Sequence, residues 1–308
     1  MNIHKHDSSK RKDDSLPEEL SDDLENYRQS ENSKISLTEF EVESALDNVL
    51  LQIGDKSENS SEGSGNGFSI DWKLMSIAAS VTFIGMLFFL SIPVTVEVPN
   101  SELATVNLPD GSSITLNSGS ELSYSRLYNH LNRTVTLSGE GYFDVQSNAD
   151  KPFIVNTPNS SVKVLGTEFN LSDWDDSSQT RVKLSVTEGT VEFAEINDND
   201  SMVLNENESA VLNSESEITP YSADINNMIA WLSNNISFQN DDLQHAFGML
   251  ERRFDTVISI DKKLNLQSES ITAYYHDPKG VESIIQDICT IKGLSYQKTS
   301  NGYRISTN

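Results

Sequence analysis

Few of the residues that do chemistry elsewhere stand where they can act together in this 308-residue chain. His4 and His6 fall in a polar N-terminal stretch, and His130, His245 and His276 are scattered over three elements without ligand spacing. A zinc-type site needs several such donors converging on one point, so no metal is expected. Glu140 and Asp144 read as solvated residues bracketing a hairpin rather than as an acid and base pair. Cys289 follows Ile288 on a helix flank with no His near it in sequence, which makes it a core thiol and not a nucleophile. Gly111, Gly139 and Gly166 serve turns, and nothing resembles a phosphate-cradling loop. No catalytic constellation and no cofactor site emerge, and the chain reads as something other than an enzyme.

The elements are more informative than the side chains. From Leu74 to Ile92, between Lys73 and Pro93, there is no charge over about 19 residues, and at roughly 1.5 Å per residue a helix of that length covers the hydrocarbon thickness of a bilayer. Ser76, Ser80 and Thr82 can return their hydroxyls to the preceding turn. The stretch therefore predicts one transmembrane helix, with 72–93 as its bounds. A cleavable leader does not fit, because some seventy mostly polar residues precede the apolar run. Lys56 and Lys73 flank its N-terminal side, whereas no Lys or Arg follows until Arg126, which places the N-terminus in the cytoplasm.

Residues 1–34 are polar and charged, and read as a disordered acidic tail. Ser36 and Glu39 form a capping box, with Ile35 and Phe40 at the staple positions. A helix over 35–53 follows, with Val42, Ala45, Leu46, Val49, Leu50 and Ile53 on one apolar face. Its polar face carries Glu39, Glu41, Glu43 and Asp47, where a membrane-surface helix would carry Lys and Arg, so a protein partner suits it better than lipid. Residues 54–71 are rich in Ser, Gly and Asn and read as a flexible tether. The whole chain has a formal charge of −25, and its acidity argues against nucleic acid as a direct partner.

Beyond the apolar stretch, residues 100–220 read as short strands. Val182, Leu184 and Val186 alternate with polar neighbours, as do Val135 and Leu137. Turns are marked by Pro109-Asp110-Gly111, Asn117-Ser118-Gly119, Ser138-Gly139 and Glu188-Gly189. The class is all-β, sandwich or short solenoid. Residues 223–308 change pattern to a small α+β module. A strand at Ile236–Phe238 leads through Asn240 and Asp241 as cap into a helix with Leu243, Ala246, Phe247, Leu250 and Phe254 on one face, and Asp277 and Pro278 open a second one, whose inner face is Val281, Ile284, Ile285, Ile288 and Ile291. Both helices are expected on one small sheet, closed by a hairpin at Asn301-Gly302.

These motifs carry a resemblance. Leu108-Pro-Asp-Gly-Ser-Ser-Ile-Thr-Leu-Asn117, Leu137-Ser-Gly-Glu-Gly-Tyr-Phe-Asp-Val145, Pro152-Phe-Ile-Val155 and Val164-Leu-Gly-Thr-Glu-Phe-Asn170 resemble, in order, the successive motifs of FecR-type anti-sigma factors. Gly141 departs from the small Ala usual there. Trp231, Ile236-Ser-Phe238 and Leu250-Glu-Arg-Arg-Phe254 are similar to the C-terminal domain of the same proteins, itself like the secretin and TonB short N-terminal domain. The resemblance implies a single-pass inner-membrane regulator with its C-terminal domains in the periplasm. Its partners would be an extracytoplasmic-function sigma factor inside and the signalling domain of an outer-membrane TonB-dependent transporter outside, the latter recognised through a sheet edge. The acidic arm and the Val42 to Ile53 face would occupy the sigma factor's basic DNA-binding surface. Gly166 directly before Thr167 matches an acyl donor and hydroxyl nucleophile of self-cleaving relatives; a bend at Gly166 with Thr167 packed in a strand is the plainer reading. The alternative from another class is a structural envelope scaffold with a secretin-like docking module, and a third is a periplasmic ligand sensor.

Overall fold

A computed structural model describes residues 72–176, 180–196, 201–222, 224–261, 264, 266 and 269–307. The helix expected over 35–53, with its Val42 to Ile53 face, and the tether over 54–71 lie outside them. The chain divides into two compact units, Met1–Val81 and Thr82–Asn308. Helix α1 (Trp72–Ser91) is the first described element. The Ser76 and Ser80 hydroxyls donate to the carbonyls of Lys73 and Ser76, each at 2.9 Å, so the helix absorbs its own polar groups. Its apolar side chains, Phe83, Ile84 and Phe88 among them, are exposed. Among the described residues no helix is long and apolar enough to cross a membrane.

The second unit is mostly β. Its strands are β1 (Val94–Glu97), β2 (Ala104–Asn107), β3 (Ser113–Leu116), β4 (Glu121–Tyr124), β5 (Arg133–Asp144), β6 (Phe153–Asn156), β7 (Ser160–Val164), β8 (Glu168–Asp173), β9 (Thr180–Glu188), β10 (Thr190–Glu195), β11 (Ser201–Asn205), β12 (Ser209–Asn213) and β13 (Ile218–Pro220). They form one sheet in the order β11-β10-β7-β6-β5-β8-β9-β12-β13, with β3 and β4 branching from β5 and carrying β2 and β1.

Strand β5 belongs to both halves of this sheet. Its first part pairs with β4 and, in parallel, with β6; its second part pairs with β3 and β8. The change of partners falls at Gly139, whose φ of +105° only glycine adopts readily, and where a Cβ would lie 2.9 Å from the Ser120 Cα. Ser138-Gly139 is therefore not the turn that composition suggests but a bend inside a strand, which places Glu140 and Asp144 on one strand instead of across a hairpin. Val135 and Leu137 from one half share a single buried cluster with Phe143, Phe169 and Val182 from the other. Phe143 and Phe169 stack at 4.8 Å between centroids, 4° from parallel. The two halves of the sheet thus fold over one core, as in a sandwich.

One charged pair sits inside this fold. Arg133 is 1% exposed and Asp110 4%, with Arg133 Nη1 3.0 Å from Asp110 Oδ2. The guanidinium also donates to the carbonyls of Lys151 and Gln146, while Asp110 accepts from the Tyr128 hydroxyl and from Ser112. Burial alone would raise the Asp110 carboxyl; these donors outweigh it and hold the group below its ordinary value. The turn Pro109-Asp110-Gly111 is in this way bolted to the start of β5.

After the sandwich come α2 (Ile225–Met228), a 3-10 turn (Ala230–Ser233), β14 (Ile236–Asp242), α3 (Leu243–Phe254), β15 (Val257–Ile260), β16 (Ser270–Tyr275), α4 (Val281–Lys292), β17 (Leu294–Thr299) and β18 (Gly302–Thr307). A second buried cluster joins Phe238, Leu243, Phe247, Leu250, Ile284 and Ile288. The strands make two sheets, β14-β16 and β15-β18-β17, where one was expected. The caps also shift. Strand β14 runs on through Asp241 to Asp242, whose carboxylate accepts from the His245 N–H and caps α3. Helix α4 begins after Gly280 with no side-chain cap, in place of the Asp277-Pro278 start.

Replacing Asp110 by Ala leaves the Arg133 guanidinium buried without its counter-charge. We expect a loss of about 3–5 kcal/mol of unfolding free energy, read as a lower urea midpoint with an unchanged slope.

Candidate functional site

Strand alternation points to the site. In β5, β8 and β9 the inward side chains, such as Phe143, Phe169, Leu171 and Leu184, feed the sandwich core. The alternate ones face the other way and are also buried: Glu140 is 8% exposed, Asn170 1% and Ser185 0%. An outward strand face is normally wet. Here the elements from α2 to α3 cover it.

The cover is held by polar ties. Trp231 Nε1–H donates to Asn170 Oδ1 at 3.2 Å, and Asn170 Nδ2 donates in turn to Glu140 Oε1 at 2.9 Å. Asn117 Nδ2 serves the other Glu140 oxygen at 2.7 Å. Lys183 on β9 pairs with Asp241 on β14. Asp176, just past β8, receives His245 Nδ1–H and Arg252 Nη1–H, both from α3. The Arg252 guanidinium carbon lies 3.7 Å from the centroid of the Trp174 ring, a cation-π contact. Gly248 lets α3 come close enough for this, since a Cβ there would lie 2.3 Å from Asp176 Oδ2.

Between the two sides remains a cavity of about 80 Å³, lined by Glu140, Asn170, Lys183, Trp231, Asp241 and Arg252 among others. At about 30 Å³ per molecule it has room for two or three waters. Arg252 Nη2 and Ser185 Oγ are buried with no hydrogen-bond partner among the described residues. Burial drives the Glu140 carboxyl upward, and the two Asn donors oppose this without reversing it. Burial acts the same way on Asp176 and Asp241, but the hydrogen bond from His245 with the Arg252 charge at the first, and the Lys183 charge at the second, prevail and hold both below the ordinary range. Lys183 is raised, its own burial being outweighed by Asp241.

This joint was not legible as a site. Glu140 looked solvated and His245 isolated, because their partners lie 30 and 69 residues away in sequence. A weak signal did exist: the outward positions of β8 and β9 include Asn170, Ser172 and Ser185 rather than only long charged side chains. Among the described residues no three His, Cys, Asp or Glu are grouped to hold a metal. Cys289 is buried, and burial raises its thiol. Gly166 is pressed against Ser147, whose Cα would stand 2.5 Å from an added Cβ, and the Thr167 hydroxyl donates to the Thr190 carbonyl at 2.8 Å. Both residues are thereby engaged in packing, and we expect intact mass of the purified chain to show one uncut species that persists on storage; a second species ending at Gly166 would contradict this.

The pH dependence has a definite sign. Depressed carboxyls such as Asp176 and Asp241 contribute stability that is present above about pH 3.9 and lost as pH falls through their folded values. Glu140, being raised, contributes stability present below about pH 4.3 and lost as pH climbs through its folded value. Melting temperature measured across pH should fall on acidification, Asp176→Asn should flatten that limb, and Glu140→Gln should flatten the decline on the neutral side.

The comparisons agree with the motif series. Residues 94–192 match the FecR protein domain and residues 235–305 the FecR C-terminal domain, together more than half of the chain. Two crystal structures of a candidate anti-sigma factor from Parabacteroides distasonis ATCC 8503 superpose with TM-scores of 0.65 and 0.64, each at 27% identity. The alignments cover 70% of this chain and 100% and 99% of theirs. No curated protein matches. With both domains matched in order and the same architecture in the compared crystal structures, the chain belongs to the FecR-type anti-sigma factors.

Proposed function

We propose that this chain is a single-pass inner-membrane regulator with its N-terminus in the cytoplasm, relaying the state of an outer-membrane TonB-dependent transporter to an extracytoplasmic-function sigma factor. The observation that carries the reading is the place of α1, a 20-residue helix standing between an acidic arm and two FecR-type domains. Its only charge is Lys73 at the first turn, and at about 1.5 Å per residue its 20 residues reach about 30 Å. Exposed Phe, Ile and Leu side chains all round such a helix suit lipid and not water.

On the outer side, the transporter's signalling domain is the intended partner of the C-terminal module, where β15 and β17 form the outer edges of their sheet and offer strand addition. Inside, the face of Val42, Ala45, Leu46, Val49, Leu50 and Ile53 binds the sigma factor. Glu39, Glu41, Glu43 and Asp47 beside it complement that factor's basic surface.

Two measurements test this. Thiol labelling in intact cells of single cysteines at Ser36 and Asn301 should find them on opposite sides of the membrane; the same side overturns the topology. Deleting residues 1–53 should change transcription of the cognate transporter genes, whereas an envelope scaffold would leave it unaltered.

A further inference from the structure

The two cores on either side of the polar joint remain separate. The sandwich side chains form one buried cluster and those of the C-terminal elements another, with no member in common. Between them lie the Lys183–Asp241 pair, the grip of Asp176 on His245 and Arg252, and the Trp231–Asn170–Glu140 chain. Water can replace such contacts on opening at little net loss, whereas a shared apolar core would be exposed. The cavity and the orphaned Arg252 Nη2 on its wall lower the cost further, because water satisfies that donor once the joint parts.

We infer that the C-terminal module is a detachable cover, held on the outer face of β5, β8 and β9 by the Lys183–Asp241 pair and the Asp176 grip, and that it leaves this face as an intact body when those ties are broken. Its use in signalling rests on the relay reading: a receptor that competes for the module would uncover Glu140, Asn170 and Lys183. The opening itself depends on this chain alone.

The test uses the full chain in nanodiscs, in a Cys289→Ser background, with spin labels on cysteines at the exposed positions Thr136 and Gln286. Removing Lys183 leaves the Asp241 carboxylate buried without its cation, a state relieved by opening. Lys183→Met should therefore broaden the interspin distance distribution about twofold or more, with both cores still protected from hydrogen exchange. Lys183→Met combined with Asp241→Leu should narrow it again, since no charge is then stranded. A distribution that stays narrow in the single variant overturns the inference. So does loss of exchange protection in either core, or failure of the double variant to close. None of these outcomes bears on the labelling and deletion experiments, so the cover can fail while the relay stands.

Discussion

Burial of β5, β8 and β9 on both faces is the constraint from which the rest follows. A strand has two faces, and these three spend theirs differently: Phe143, Phe169, Leu171, Val182 and Leu184 face a dry core, while Glu140, Asn170, Ser172 and Lys183 face a second body. Because the side-chain period is two, a one-residue slip would exchange the sets and put carboxylate and ammonium into the apolar layer. The register is thus pinned from both sides. The bend at Gly139 sits where β5 passes from a strand with one covered face to a strand with two.

Two kinds of attachment result, and they differ in chemistry. Within the sandwich and within the C-terminal module, cohesion comes from area removed from water, which has no direction and does not discriminate between neighbours. Across the joint it comes from donors and acceptors that must meet in one geometry. Arg133 and Asp110 show the first kind of region using a charged pair as well, enclosed on all sides and tied to neighbouring carbonyls and hydroxyls, with Arg133 Nη2 left without a partner among the described residues. Lys183 and Asp241 are enclosed only because the module is seated.

The sequence revealed the local half of this arrangement. Alternation identified the inward residues of β9, and helical spacing identified the buried faces of α3 and α4 apart from Ile291, which the last turn of α4 leaves 65% exposed, because those patterns reflect burial against the nearest core. Turn chemistry located Asp110 and the Asn301-Gly302 hairpin correctly. It misplaced Gly139, since a glycine inside a strand and a glycine at a turn look alike until the partners of the strand are known. Caps were misread by one to three residues for a similar reason: Asp241 and Asp277 have side chains fit for a cap, but Asp241 is taken up by Lys183 and Asp277 accepts from Asn234. The joint was invisible because periodicity says which side of a strand is polar and not whether that side is wet.

The order of strands in the last sheet has its own consequence. Strand β18 lies between β15 and β17, yet it comes later in the chain than either, and its parallel pairing reaches back from Gly302 to Val257. Until β18 emerges from the ribosome, β15 and β17 have no ladder to join. That sheet therefore cannot be built strand by strand as synthesis proceeds; it forms when β18 slots into its middle, whereas β14 and β16 can pair before then.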